Sequence, residues 1–322
     1  MNIVVFGAGA IGLSLACWLS EKNENTYLLA RGKAKDILID HGVIIYDGNY
    51  EKSFHKINII SALSDIQHID LIILTVKNYS LHEASYQIRK DVGADVPIVG
   101  IQNGVRNQVV LPLYFKNVMY GVIQYNAWLD APAVVGYNSK IPSIFAMDSV
   151  NPELCFPDIT SQLSQCLPVT YSSRLSDVTH NKLLANLVNS LLTMVKTPNT
   201  NENWIALLKI YSKLITEGID VLKHIKVSEY KLSELPSWCS LNMMALMPSS
   251  MVVERFKAAI KEVHLTSMQQ DILLKGKGIS ELEFINGYFF ELAKVAGVSA
   301  TYSDGFYHLC KRQFDRSEFL QL

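Results

Sequence analysis

The sequence predicts an α/β protein, with a Rossmann-type, doubly wound sheet over residues 1–172 and an all-helical domain over residues 173–322. Three observations carry this. Residues 3–12 read Ile-Val-Val-Phe-Gly-Ala-Gly-Ala-Ile-Gly, an apolar run that meets a glycine-rich turn. Strand-like and helix-like stretches then alternate as far as residue 172, and several of the strands are apolar throughout. Beyond Ser173 the periodicity is helical only.

Residues 2–6 are the first strand and residues 11–22 the first helix. Between them lie Gly7, Ala8, Gly9, Ala10, Ile11 and Gly12. Gly7 suits a tight turn, Gly9 a close approach to a pyrophosphate, and Gly12 close packing of helix on strand. The helix N-terminus would offer free N–H groups and a positive dipole end to the phosphates. The same glycines could also close a turn without a ligand, or cradle FAD. Residues 26–30 are the second strand, and Arg31 ends it. A carboxylate there would bond a ribose 2′-hydroxyl and select NAD. A guanidinium can instead bind a 2′-phosphate bidentately, so the expected cofactor is NADP (NADPH). Lys33 and Lys35 add positive charge nearby.

Residues 43–45 and 52–56 flank Asp47-Gly48-Asn49, a hairpin-like turn. Residues 70–76 form a buried strand, followed by Lys77 and a helix over 79–91. Residues 97–101 form the next strand, followed by Gln102-Asn103-Gly104. Lys77 and Asn103 thus stand at carboxyl strand ends, where ligands bind in such sheets. Residues 118–127 and 134–147 read as antiparallel strands, with Gly136 and Pro142 breaking the second. Residues 152–167 suit a helix and 169–172 a last strand. The helical half reads as 176–194, 202–224, 251–261, 279–296 and 302–315.

The chain has 322 residues, of which 49% are hydrophobic, enough for two domain cores. A net charge of −1 gives no reason to expect nucleic acid as a partner. Charged residues are 18%, which leaves room for a homodimer interface. Five cysteines lie scattered without a CxxC pair, as expected of reduced thiols in a cytoplasmic protein. No His spacing suggests a metal site. Residues 1–19 lack the basic start of a secretory signal, and no apolar run reaches membrane-spanning length.

The helix over 176–194 carries the most pointed chemistry. Its leucines and valines mark it as buried. Yet Lys182 and Asn186 are four residues apart and share a face. Asn189 lies on nearly the same stripe, and Ser190 is four residues beyond Asn186. Amides and an ammonium on an apolar helix need polar partners, which a substrate carboxylate and carbonyl would supply, or water if the stripe lies at the surface. Glu281 opens a later helix, where a carboxylate is also favoured by the dipole alone.

Taken together, these residues resemble the ketopantoate reductase family. The likeness rests on Gly7-Ala-Gly-Ala-Ile-Gly12, Arg31, Thr75-Val-Lys77, Gln102-Asn103-Gly104, Lys182 with Asn186, Thr266-Ser267-Met268 with Gln270-Asp271, and Glu281 with Ile285-Asn286-Gly287. They occur in family order and span nearly the whole chain. The resemblance implies an N-terminal Rossmann domain, a helical C-terminal domain and NADPH-dependent reduction of 2-dehydropantoate. Lys182 would match the catalytic lysine, and Asn186 the substrate asparagine. Glu281 would match an acid that contacts the bound ligands, on the cofactor side as well as the catalytic one. Ser267 would match a serine on the substrate carboxylate, and Lys77 and Asn103 nicotinamide-side positions. Pro198-Asn199 resembles the Pro-Asn that follows the catalytic helix. The chain departs from the pattern at three places. Ser190 stands where the family has a second asparagine, with Asn189 beside it, so either could take that role. His180 stands where a tryptophan is common. The stretch from Met268 to Glu281 is about two residues longer than usual. A related hydroxy-acid or imine dehydrogenase, or a non-catalytic NADP-binding sensor, would share much of this pattern.

Overall fold

The computed structural model describes residues 1–138, 143–146, 156–195, 198, 200–233, 235–261, 267–274 and 280–316. The chain divides into two compact units, 1–178 and 179–322. The division falls inside a helix, because Leu175 in its first turn packs into the core of the first unit.

In the first unit, β1 (Ile3–Phe6), α1 (Ala10–Ser20), β2 (Thr26–Leu29) and α2 (Gly32–His41) open the fold. A small antiparallel pair, β3 (Val43–Tyr46) and β4 (Lys52–His55), follows, with Asp47 Oδ1 accepting the N–H groups of Asn49 and Glu51 in its turn. Next come β5 (Asn58–Ile60), β6 (Leu71–Leu74), α3 (Leu81–Val92), β7 (Ile98–Gly100), α4 (Arg106–Val110) and β8 (Val118–Val122). Then follow β9 (Ala127–Ala131), β10 (Val134–Tyr137), β11 (Ser143–Ala146), α5 (Phe156–Cys166) and β12 (Val169–Ser172). The main sheet runs β12-β11-β8-β7-β6-β1-β2-β5 and is parallel except for the β8–β11 pair. A second sheet, β4-β3-β10-β9, stands apart from it.

The apolar strands are buried on both faces, as expected of a parallel sheet covered on both sides. Ile3 and Val5 of β1 enter one core with α1, whereas Val4 and Phe6 enter another with α3. That is the two-residue alternation of a strand. β1 lies between β2 and β6, with Ile3 opposite both Thr26 and Leu71. The turn after β1 and the loop after β6 therefore open at the same, carboxyl end of the strands.

The chain does not run straight through 118–127. It leaves the main sheet after Val122 and enters the second sheet at Ala127, and the 134–147 stretch divides in the same way. Buried Tyr125, whose hydroxyl lies 3.1 Å from Ser14 Oγ on α1, fixes the crossing.

The second unit is helical. α6 (Leu175–Met194) runs into it from the first, and α7 (Asn201–His224), α8 (Trp238–Leu246), α9 (Ser249–Lys261) and a short α10 (Ser267–Gln269) follow. α10 continues as a π-helical turn over Gln270–Leu274. A second π-helical turn, Glu283–Gly287, leads into α11 (Tyr288–Val295), and α12 (Thr301–Arg316) closes the fold. Leu183, Leu184, Leu187 and Leu191 place α6 at the centre of this core. Two glutamates act as caps across the chain. Glu229 Oε1 accepts the N–H of Trp238 at the head of α8. Glu217 on α7 accepts the N–H groups of Tyr302 and Ser303 at the head of α12. Orphan N–H groups are thereby satisfied where a negative charge also suits the dipole.

Candidate active site and cofactor cradle

The glycine turn has the form that the sequence predicts. Gly7 has φ +128°, a conformation side chains rarely adopt. A Cβ on Gly12 would lie 1.8 Å from the Gly7 carbonyl oxygen, so helix and turn approach as only glycine allows. Thr75, just past β6, ties the turn down, its hydroxyl donating to the Gly7 carbonyl at 2.8 Å and the Phe6 carbonyl at 3.1 Å. Gly9 differs from its neighbours. It precedes α1, and among the described residues no side chain caps that helix and a Cβ on Gly9 would meet nothing within 4 Å. Exposed Gly9 backbone beside the N–H groups of the first turn could hold a pyrophosphate. Ala8, Ala10 and Ile11 line the same turn and are partly buried.

Arg31 is exposed at the end of β2, where it precedes α2. Lys77 and Asn103 follow β6 and β7, partly buried. Two buried amides hold their loops together. Asn78 Nδ2 donates to the Asn103 carbonyl at 2.8 Å. Gln102 Nε2 donates to the carbonyls of Leu74 at 2.7 Å and Val76 at 3.2 Å. Lys77 and Asn103 thus stand on one braced rim at the carboxyl ends of adjacent strands.

The second set lies in the helical unit. Lys182 is partly buried on α6, with Asn186 and Asn189 on the same stripe. Asn189 Nδ2 donates to Asn186 Oδ1 at 3.3 Å. Ser190 is fully buried, and its hydroxyl donates to the Leu187 carbonyl at 3.0 Å and hydrogen-bonds the Cys310 thiol on α12. Burial pushes that thiol well above its ordinary pKa, while the Ser190 contact opposes the shift. Neighbouring Asn181 and His180 have structural partners. Asn181 bonds the Ser228 carbonyl and the Trp238 indole N–H. His180 Nε2 lies 3.3 Å from the Tyr288 hydroxyl.

Two further segments are fastened to α6. Gln269 Nε2 donates to the Leu192 carbonyl at 2.7 Å, which docks the turn that begins at Ser267. Asn286 Nδ2 donates to the Leu187 carbonyl at 3.2 Å. Asn286 sits in the π-helical turn just past Glu281, whose side chain is buried and whose carbonyl accepts the N–H groups of Phe284 and Ile285. The sequence predicts an uninterrupted helix over 279–296. The structure instead widens its first turn, and such π turns recur at functional sites. Asn199 lies outside the described residues. Among the described residues no group of three His, Cys, Asp or Glu could hold a metal ion, and no helix is long and apolar enough to cross a membrane. Sequence reasoning did not single out Asn78 or Gln269. Both act through backbone carbonyls distant in sequence, which no local spacing reveals.

A Gly-x-Gly-x-x-Gly turn between the first strand and helix of a parallel sheet defines a dinucleotide-binding protein. Comparison with known proteins is more specific. Residues 3–145 match the family model described as ketopantoate reductase PanE/ApbA, and residues 174–313 match its C-terminal model. The chain belongs to the ketopantoate reductase PanE/ApbA family, whose members are oxidoreductases. It is 24% identical over 293 residues to a 2-dehydropantoate 2-reductase of Listeria monocytogenes, covering 88% of this chain and 93% of that one. Among solved structures it is similar to a PanE/ApbA family ketopantoate reductase of Ralstonia eutropha, with TM-score 0.78 and 18% identity over 98% of this chain and 99% of that one. It is also similar to a D-mandelate dehydrogenase with NADH and anilino(oxo)acetate, with TM-score 0.77 and 19% identity over the same shares. At these identities the two structures establish the fold.

Proposed function

We propose that this chain is an NADPH-dependent reductase of a small 2-keto acid, with 2-dehydropantoate as its substrate. The observation that carries the reading is the polar stripe Lys182–Asn186–Asn189 on a helix whose leucines pack into a hydrophobic core. The turn at Gly7–Gly12 would hold the pyrophosphate and Arg31 the 2′-phosphate. Lys77 and Asn103 would lie on the nicotinamide side. The bound cofactor supplies the hydride that adds to the carbonyl carbon.

The remaining work falls to side chains of α6 and the segments fastened to it. The Lys182 ammonium stabilises the charge that develops on the substrate carbonyl oxygen and gives that oxygen its proton. Asn186 and Asn189, linked amide to amide, orient the keto acid. Ser267 and Asn199 would bind its carboxylate or hydroxyls. Glu281 positions ligand hydroxyls and balances the Lys182 charge. The low charge content supports a homodimer, and the scattered, unpatterned thiols support a cytoplasmic protein.

Steady-state oxidation of NADPH with a panel of 2-keto acids tests the reading. Turnover is expected to be fastest with 2-dehydropantoate. Faster turnover of an aryl 2-keto acid with NADH would place the chain with hydroxy-acid dehydrogenases. NADPH binding without oxidation by any keto acid would mark a sensor. Lys182→Met should lower kcat by at least about 10²-fold at saturating keto acid, the scale of general acid catalysis. A loss of only a few-fold would remove Lys182 from the mechanism.

A further inference from the structure

Arg31 is exposed, yet its guanidinium is held at two points. Nη2 donates to Oε1 of Gln87 on α3 at 2.8 Å. The guanidinium carbon lies 5.7 Å from the centroid of the Phe6 ring, the last residue of β1. Gln87 is held in turn. Its Nε2 is 3.4 Å from Oδ2 of Asp91, one helical turn along α3. This arrangement has one orientation. A guanidinium only donates and a carboxylate only accepts, so the amide must show its carbonyl to Arg31 and its NH2 to Asp91.

We propose that Gln87 is the positioning residue that sets the strength of selection for a 2′-phosphorylated cofactor. The proposal rests on the reading that Arg31 receives the 2′-phosphate. Arginine loses much rotamer freedom when it is fixed, and a guanidinium already held loses less on binding. The acceptor at position 87 is neutral. It uses one of the five guanidinium donors and leaves the positive charge uncompensated, with the rest of the fork available to a phosphate. A glutamate there would satisfy the same geometry but form an ion pair that the 2′-phosphate must displace. Asp91 orients the amide from a distance and does not itself bond Arg31 in this arrangement.

The test is fluorescence titration of NADPH and NADH against the wild type, Gln87→Met and Gln87→Glu, with thermal melts to confirm folding. Gln87→Met keeps the length and loses the acceptor. It should weaken NADPH about 3- to 10-fold, the scale of one ordinary hydrogen bond, because the Arg31–Gln87 contact is solvent-exposed. Gln87→Glu should weaken NADPH at least about tenfold, and more at low ionic strength, because it opposes the phosphate with charge. NADH affinity should move less than about twofold in both, since NADH has no 2′-phosphate to exploit the guanidinium. Equal wild-type affinities for NADPH and NADH would overturn the role of Arg31 and the proposal with it. A wild type that prefers NADPH, with variants that keep the preference, would overturn the proposal alone. Parallel loss of both cofactors would show that Gln87 merely supports α3, and would overturn it as well.

Discussion

The side-chain amide of Asn286 donates to the backbone carbonyl of Leu187, in the middle of the helix that carries Lys182. The same carbonyl accepts the Ser190 hydroxyl. This amide, together with Leu282 and Ile285 in the same core as Leu187, registers the π-helical turn after Glu281 against α6, the helix that carries Lys182 and Asn186. Asn286→Leu should therefore cost roughly 0.5–1.5 kcal/mol of stability, the net worth of one hydrogen bond, because the Leu187 carbonyl keeps the Ser190 hydroxyl. It should also lower kcat by about tenfold, the penalty of a modest misplacement of a positioned group, while NADPH affinity stays unchanged. A lower melting temperature with an unaltered kcat would make the bond purely structural.

The glycines of the first turn should fail in different ways. Gly12→Ala places a methyl against the Gly7 carbonyl and should lower the melting temperature of the cofactor-free protein. Gly9→Val meets open space and should leave the cofactor-free melt nearly unchanged, while abolishing the stabilisation that NADPH gives. Differential scanning fluorimetry with and without NADPH separates the two. A full NADPH shift in Gly9→Val would make the motif a turn without a ligand.

Asn189 and Ser190 are adjacent but have different surroundings. Asn189 bonds Asn186, and Ser190 is taken up by Leu187 and Cys310. Asn189→Ala should lower kcat/KM for the keto acid by about tenfold, the equivalent of one substrate hydrogen bond. Ser190→Ala should leave kcat/KM within about twofold and cost roughly 1 kcal/mol of stability. The reverse order of kinetic effects would assign the substrate contact to Ser190.

Glu283, at the start of the π-helical turn, accepts the Tyr307 hydroxyl and an ion pair from Lys311 at 2.7 Å, both on α12. Burial alone would raise its carboxyl, but the hydrogen bonds from Lys311 and Tyr307 and the charges of Lys311 and His308 outweigh it and hold the pKa below the ordinary 4.5. A depressed carboxylate contributes stability above its unfolded pKa and loses it as pH falls through the folded one. Chemical denaturation of the wild type should therefore show stability dropping as pH falls below about 4.5, the unfolded value. Glu283→Gln should flatten that limb and be less stable at neutral pH. An identical acid limb in the variant would show that the pair has no linkage to folding.

The apolar central strands, the glycine turn and the helical second half are legible in the residues alone, because each rests on local chemistry. Unbroken apolar strands, glycines at fixed offsets and a 3.6-residue period are legible without any neighbour. The same locality placed Lys182, Asn186 and Asn189 on one stripe. Where the 118–147 stretch changes sheet is not legible locally, since it depends on which distant strand edges pair with it, β7 and β11 for residues 118–122 and β3 for residues 134–136. Nor does local sequence give the π turn after Glu281, in which Asn286 reaches Leu187 and Glu283 reaches α12. The short helix α2, the edge strand β5 and α8 carry weak local signals and are held by packing and by remote caps such as Glu229. Gln87 is the extreme case. On α3 it is one more polar residue of an amphipathic helix, and only the fold brings it to Arg31, 56 positions away.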